Sequence, residues 1–242
     1  MQKHSLRTDG KKRVGDPKLA TRLNKELEGN VLFDKFSRGR YSTDASIYQI
    51  EPIGTVVPMS NADVERTINI AKDEGIPILP RGGGTSQCGQ VLGEALIIDT
   101  SKQLNRILEF DAETKTIEVE PGVVLDDLNR MLKPHKLFFP VDISTGSRAT
   151  IGGMAGNNAC GSRSIRYGNM VHNVLEIDAI LADGTKAHFG QVSGNLEDIG
   201  GPRSYLDIIS TLRKIAARES EEIDYRYPNL LRNVGGYNIN TI

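Results

Sequence analysis

Apolar residues recur along the chain in short bursts, and few bursts keep one period for long. Leu19, Leu23 and Leu27, spaced by four, mark an amphipathic helical stretch inside an N-terminal arm of residues 1 to about 43. "IEPIGTVVP" reads as an extended strand that ends at Pro58. "SNADVERTINIAKDEG" carries a helix signature: Ser60 at the N-cap, Asp63 three residues on, Val64, Ile68 and Ala71 on one face, and Gly75 as the stop. "IPILP" is a short strand that runs straight into "RGGGTS". "ALIIDTS", "RILEFD" and "TIEVEP" follow as strands, the last two a hairpin turning over residues 112–115. "VLDDLNRML" predicts a helix with Leu125, Leu128 and Leu132 on one side, ended by Pro134. Periodicity then disappears over residues 140–168, which predicts a long segment without regular structure, and such segments inside a compact domain are usually functional. Two strands resume in "VLEIDAILADGTKAHF", where Asp183 and Gly184 predict a two-residue hairpin turn. A last helix over residues 203–219 turns Leu206, Ile209, Leu212 and Ala216 inward. The pattern is α+β, with mixed short strands rather than regular βαβ units, and neither repeats nor low-complexity tracts occur.

Length and composition narrow the classes of function. The 242 residues suffice for one large domain or two small ones. Thirty basic and 31 acidic residues leave a net charge of −1, so nucleic acid is not an expected partner. No apolar run approaches the roughly 20 residues that span a bilayer, and the polar N-terminus lacks the apolar core of a secretory signal. Two cysteines, Cys88 and Cys160, make no disulfide framework. The expectation is a soluble, cytoplasmic protein without a transmembrane segment. His4, His135, His172 and His188 show no metal-ligand spacing, so no metal is assigned. Asp126 and Asp127 read as first-turn charges of a helix. No Ser-His-Asp constellation is present in the spacing, and catalytic residues remain unassigned.

The 25 glycines are clustered, and the clusters carry the chemistry. A strand entering a glycine-rich loop suits phosphate binding, because bare main-chain N–H groups form an anion nest. The dinucleotide fingerprint G-x-G-x-x-G fails, since Gln87 follows Gly82 and Gly84 at the third position and no helix pattern follows. The nucleotide-triphosphate loop fails as well, with Gln90 and Val91 after Gly89 where lysine and a hydroxyl residue are needed. Gly156 to Gly161 repeats that near miss, followed by Ser162 and Arg163. Nucleotide hydrolysis is thereby disfavoured. A single cluster could be only a tight turn. Two clusters, each beside a strand, could instead wrap an extended anionic ligand, and Arg81, Arg148, Arg163 and Arg166 suit a pyrophosphate held mainly by backbone dipoles.

"PRGGGTSQCGQ", "EPGVVLDDLNRML", "VDISTGSRATIGGMAGNNACGSRSIRYG" and "VLEIDAILADGTK", in that order, resemble the FAD-linked oxidase domain of the vanillyl-alcohol oxidase and p-cresol methylhydroxylase superfamily. The resemblance runs from about Tyr41 to the C-terminus and is strongest to the branch of bacterial D-2-hydroxyglutarate dehydrogenases and D-lactate or glycolate dehydrogenases. It implies a two-subdomain FAD-binding fold of the p-cresol methylhydroxylase type over residues 44–242, with subdomains of about 44–140 and 141–242 and FAD between them. It implies that Arg81, Gly82, Gly83, Gly84, Thr85 and Ser86 cradle the FAD pyrophosphate, the glycines bare because phosphate oxygens sit against them. A branched side chain at Gly83 should then abolish FAD binding and spare the fold. A second segment, with Asp142, Ser144, Thr145, Thr150, Gly152, Gly153, Gly156, Asn157, Asn158, Ala159 and Gly161, would run along the dinucleotide toward the isoalloxazine.

Some members of that superfamily tether the flavin covalently. The first loop has no histidine and neither cysteine has an evident activating neighbour, so FAD is expected to be non-covalent. The reaction implied is oxidation of a small 2-hydroxy acid of the D-2-hydroxyglutarate, D-lactate or glycolate type. Hydride passes to the flavin while a base takes the hydroxyl proton, and this chain supplies the flavin's seat. The electron acceptor is not readable from these residues. The family's domain continues beyond "GGYNI" into a further strand and a cap domain, so the chain is expected to be incomplete at its C-terminus and inactive alone. Self-association through the open edge and an iron–sulfur cluster only in a longer parent protein complete the expectations. A non-catalytic flavin-binding remnant, or one half of a split enzyme, is the alternative reading.

Overall fold

The computed structural model describes residues 13–192, 199–230 and 239–241. The chain forms two units: one takes the chain up to Phe139 together with Thr145–Gly153, and the other takes Pro140–Ser144 and the chain from Met154 onward.

The first unit is built on a mixed four-stranded sheet. Its strands are β1 (Asn30–Leu32), β2 (Gly54–Val57), β3 (Ile78–Arg81) and β4 (Leu96–Asp99), in the order β1-β2-β4-β3. β1 runs antiparallel to β2, while β2, β4 and β3 are parallel. Every residue of β2 and β4 is buried, as expected for parallel strands covered on both faces. Helix α1 (Pro17–Glu26) belongs to this core: Leu19, Leu23 and Leu27 pack with Ile53, Val56, Ile70, Ala71 and Leu96. Asp16 caps α1 by accepting from the amides of Lys18 and Leu19, with Pro17 at the first helical position. Arg13 and Arg22 both reach Glu74, at 2.8 and 2.9 Å, which ties α1 and the turn before it to the end of α3 (Asn61–Asp73).

Helix α3 starts as its sequence predicts, with Ser60 Oγ accepting from the Asp63 amide, and Gly75 leaves it at φ +63°. Strand β1 and helix α2 (Lys35–Tyr41) carry too few residues to show a period, and sequence reading passed over both. A second sheet, β5 (Ile107–Asp111) paired with β6 (Thr116–Val119), is the expected hairpin, and Lys115 takes φ 59° in its turn. Helix α4 (Leu125–Leu132) lays Leu128 and Leu132, with Val123, against Phe110, Ile117 and Val119.

The second unit corrects three expectations. Residues 140–168 are not without structure: α5 (Ile151–Gly156), which crosses from the first unit into the second, and α6 (Ser164–Tyr167) lie within them, and α7 (Met170–Asn173) follows. One or two turns cannot display a 3.6-residue period, so the pattern hid them. Strands β7 (Ile177–Ile180) and β8 (Lys186–Phe189) do pair, but their turn is not a two-residue one. Leu181 O accepts from the Gly184 amide, and Leu181 N donates to Thr185 O. Only Gly184 has positive φ, at +86°, which describes a three-residue loop with its glycine in the left-handed position.

Helix α8 runs from Arg203 to Arg226, well past residue 219, and the inward face expected of it is largely open. Tyr205 is buried edge-on to Phe189 and Ser204 Oγ donates to Asp183, whereas Leu206, Ile209 and Ala216 are half-buried and Leu212 is exposed. A helix of that length spans about 36 Å and a four-residue strand about 13 Å, so the hairpin can cover only its first turns. Among the described residues no helix is long and apolar enough to cross a membrane.

Candidate functional site

β3 ends at Arg81, opposite Asp99 of β4, and the chain leaves the sheet through three glycines. Each glycine meets the protein itself. A Cβ on Gly82 would lie 2.3 Å from Thr150 Oγ1, and one on Gly83 would lie 2.3 Å from Arg148 O. Gly84 takes φ +65°, and the place of its side chain is filled by the Arg81 guanidinium, 2.5 Å away at Nη2. Beyond the expected phosphate, the chain's own 148–150 segment and Arg81 require these positions to be bare. What the loop offers a ligand is backbone. Among the described residues, the main-chain N–H groups of Gly82 through Ser86 donate to no protein acceptor, and Gly83 is exposed. Consecutive free amides without side chains in front of them make an anion-binding concavity.

The segment behind this loop is held firmly. Thr145 O accepts from the amides of Arg148 and Ala149, Ile151 N donates to Val123 O, and Gly152 N donates to Pro121 O. Gly152 packs so closely on Pro121 that a Cβ would stand 2.5 Å from it. Thr150 is buried, its Oγ1 accepting from Gly153 N at 3.3 Å, so it shapes the wall behind Gly82 rather than presenting a hydroxyl. Gly82, Gly83, Thr150 and Gly153 are thus brought together. Thr85 and Ser86 continue the loop half-buried, with Ser86 Oγ accepting from Cys88 N. Cys88 is exposed and Cys160 half-buried, both as free thiols.

In the second unit the candidate residues divide by role. Asp142 holds the turn that follows Gly161: Oδ1 accepts from Arg163 N and Oδ2 from Ser162 Oγ, at 2.9 and 2.8 Å. Partial burial pushes the Asp142 carboxyl up, but these hydrogen bonds outweigh it and hold the group below the usual aspartate value. Gly161 is obligatory there, because any Cβ would run into Asp142 O. Ala159 is buried, while Ser144, Gly156 and Asn157 are exposed. Asn158 sits at φ 43° with Oδ1 accepting from Val171 N, and its Nδ2 is buried without a partner. Asn158 borders a mainly apolar cleft of about 310 Å³, lined by Met170, Val174, Ile177 and Phe189 among others and by one charged residue, Glu176. A mainly apolar cleft with one spare donor fits part of a flat organic ligand. Sequence reasoning selected Asn158 but missed two residues of the first unit that belong to no motif: Tyr41, whose ring lies under the Arg81 guanidinium, and Asp99, which accepts from the Tyr41 hydroxyl.

The chain matches the FAD binding domain family over residues 52–190, more than half of its length. It is 34% identical over 221 residues to D-2-hydroxyglutarate dehydrogenase of Pseudomonas putida, covering 89% of this chain and 22% of that protein. It is 35% identical over 163 residues to glycolate oxidase subunit GlcD of Bacillus subtilis, covering 66% of this chain and 35% of the relative. Among solved structures, alkyldihydroxyacetonephosphate synthase has the same fold, with a TM-score of 0.65 at 20% identity over 80% of this chain and 37% of that one. The chain spans about a fifth of the length of the D-2-hydroxyglutarate dehydrogenases it matches. A glycine loop with free amides, an α+β fold of this kind and these relatives agree: the chain belongs to the FAD binding domain family.

Proposed function

We propose that this chain supplies the FAD-binding part of an enzyme that oxidises a small 2-hydroxy acid, of the D-2-hydroxyglutarate, D-lactate or glycolate type. The observation that carries the cofactor reading is the run of free main-chain amides from Gly82 to Ser86. In this reading those amides take the pyrophosphate, and Thr150 and Gly153 form the wall behind them. Asn157 and Asn158 contribute polar contacts, with the spare Asn158 Nδ2 as a donor. FAD is held without a covalent bond. Bound FAD supplies the hydride acceptor for the reaction. This chain's own residues orient it, and none of them is assigned as the base.

The relatives support the substrate class, and the short span they share leaves the reaction to experiment. Titration of the isotopically labelled 242-residue chain with ADP, then with FAD, should shift the amide resonances of Gly82–Ser86. Resonances that stay in place under both ligands overturn the cradle. The reaction is checked by dye-linked oxidation of D-2-hydroxyglutarate, D-lactate and glycolate by a polypeptide carrying the remaining length of the relatives. The 242-residue chain alone is expected to bind FAD weakly and to turn over none of the three acids.

A further inference from the structure

The first loop makes few hydrogen bonds of its own and contains a left-handed glycine, so neighbours must dictate its shape. Among these are Arg148 O and Thr150 Oγ1. The loop also meets a polar cluster of Arg81 with the buried Tyr41 and Asp99, of which the cofactor reading uses Arg81 alone. Tyr41, at the end of α2, is 6% exposed and donates its hydroxyl to Asp99 Oδ2 at 2.7 Å. Asp99, 2% exposed, accepts at Oδ1 from the amide and hydroxyl of Ser101. The Arg81 guanidinium lies over the Tyr41 ring, 5.3 Å from its centroid, and its Nη2 donates to Thr43 O at 2.8 Å. It fills the place of a side chain on Gly84, where a Cβ would lie 2.5, 3.0 and 3.2 Å from Nη2, Cζ and Nε.

We infer that Tyr41, Asp99 and Arg81 are positioning residues for the cofactor loop, the arginine acting as an internal prop beneath Gly84 rather than as a phosphate ligand. The inference rests on the reading that this loop holds the pyrophosphate, and it reassigns Arg81 within it. Partial burial depresses the Arg81 guanidinium, and the nearby carboxylates of Asp99 and Asp44 offset this only in part. The assignment therefore stands on geometry. Lysine could serve as a point charge for a phosphate, but it can neither stack on Tyr41 nor fill the plane under Gly84.

The test compares Tyr41→Phe, Arg81→Lys and Arg81→Gln with the parent in the full 242-residue chain. Two quantities are read: the backbone order parameters of Gly82–Ser86 without flavin, and the affinity for FAD. A prop predicts that all three variants lower the loop order parameters from the rigid range of about 0.85 toward 0.6 or below. It also predicts that FAD affinity falls about tenfold in each, a loss of about 1.4 kcal/mol. The β5–β6 hairpin keeps its parental values throughout. If Arg81→Lys keeps both loop order and affinity while Arg81→Gln loses affinity, Arg81 is a phosphate ligand and the inference is overturned. Loop order unchanged in all three variants overturns it equally. Tyr41→Phe removes one oxygen only, so it tests the Tyr41–Asp99 pair, and Arg81→Lys tests the arginine, even if Arg81→Gln fails to fold. A parent chain that binds no flavin would remove the cofactor reading, yet the order parameters would still decide the prop.

Discussion

A Cβ on Gly83 would lie 2.3 Å from the carbonyl oxygen of Arg148, whereas one on Gly39, inside α2, would meet nothing within 4 Å. The two glycines are alike in sequence and opposite in consequence. Gly83→Ala should lower stability by about 1–3 kcal/mol, because backbone has to move to admit the methyl group. Gly39→Ala should raise it by about 0.5–1 kcal/mol through lost unfolded-state entropy. Chemical denaturation of both variants measures the difference, and equal midpoints would contradict it. A branched residue at Gly83 would meet the same carbonyl, so the loop or the 148–150 segment must shift to admit it. His188 gives a residue-scale prediction in pH. Its Nδ1 lies 2.8 Å from Asp178 Oδ1 across the β7–β8 pair, and that hydrogen bond raises the imidazole above its usual 6.5 despite partial desolvation. A raised folded-state value means stabilisation that is complete below the usual imidazole pKa and is lost as pH rises through the raised one. Proton NMR titration should find the His188 midpoint above 6.5, and Asp178→Asn should bring it back toward that value.

At the scale of elements, the ends of α3 show how far a local signal reaches. Ser60 is the N-cap that the sequence predicts, its Oγ accepting from the Asp63 amide. Asp63 does something else: it is buried and accepts from the amides of Glu28 and Met59, at 3.0 and 2.9 Å. It thereby joins the chain leaving α1 to the chain entering α3. Asp63→Asn would turn an NH₂ group toward one of those two donors. The expected cost is about 1–3 kcal/mol, the penalty for a buried group left unsatisfied. Ser60→Ala should cost about 1 kcal/mol, as caps do. Thermal or urea unfolding ranks the two, and an Asp63→Asn variant as stable as the parent would remove Asp63 from this role. The β7–β8 turn teaches a related lesson. Asp183 and Gly184 announce a turn, but the loop length depends on which strand residues pair, and that is decided by register.

At the scale of the whole molecule, apolar surface is the outstanding feature of the second unit. Ile165, Val171, Leu175 and Ile177 are exposed, and β7–β8 stands as a two-stranded sheet among the described residues. Unpaired strand edges and exposed apolar side chains favour association. The purified chain should show an apparent mass that rises with concentration in sedimentation equilibrium, and Ile165→Ser with Leu175→Ser should reduce that rise. A concentration-independent monomer would contradict the expectation.

Whatever depends on neighbours a few residues apart is legible along the chain. Ser60 and Gly75 bound α3, residues 112–115 turn the β5–β6 hairpin, and Leu125, Leu128 and Leu132 define the buried face of α4. The glycine loop is legible too, since three bare positions after a strand are visible without a fold. Tertiary structure decided the rest. It inserted β4 between β2 and β3, and it buried α1 of the expected arm in the sheet's core. It placed Arg148 O and Thr150 Oγ1 against Gly83 and Gly82, and it set Arg81 over Tyr41 beside Asp99. A helix or a turn repeats fixed spacings along the chain, and spacing can be read. These contacts join segments with no set separation in sequence, so they exist only once the chain has closed on itself.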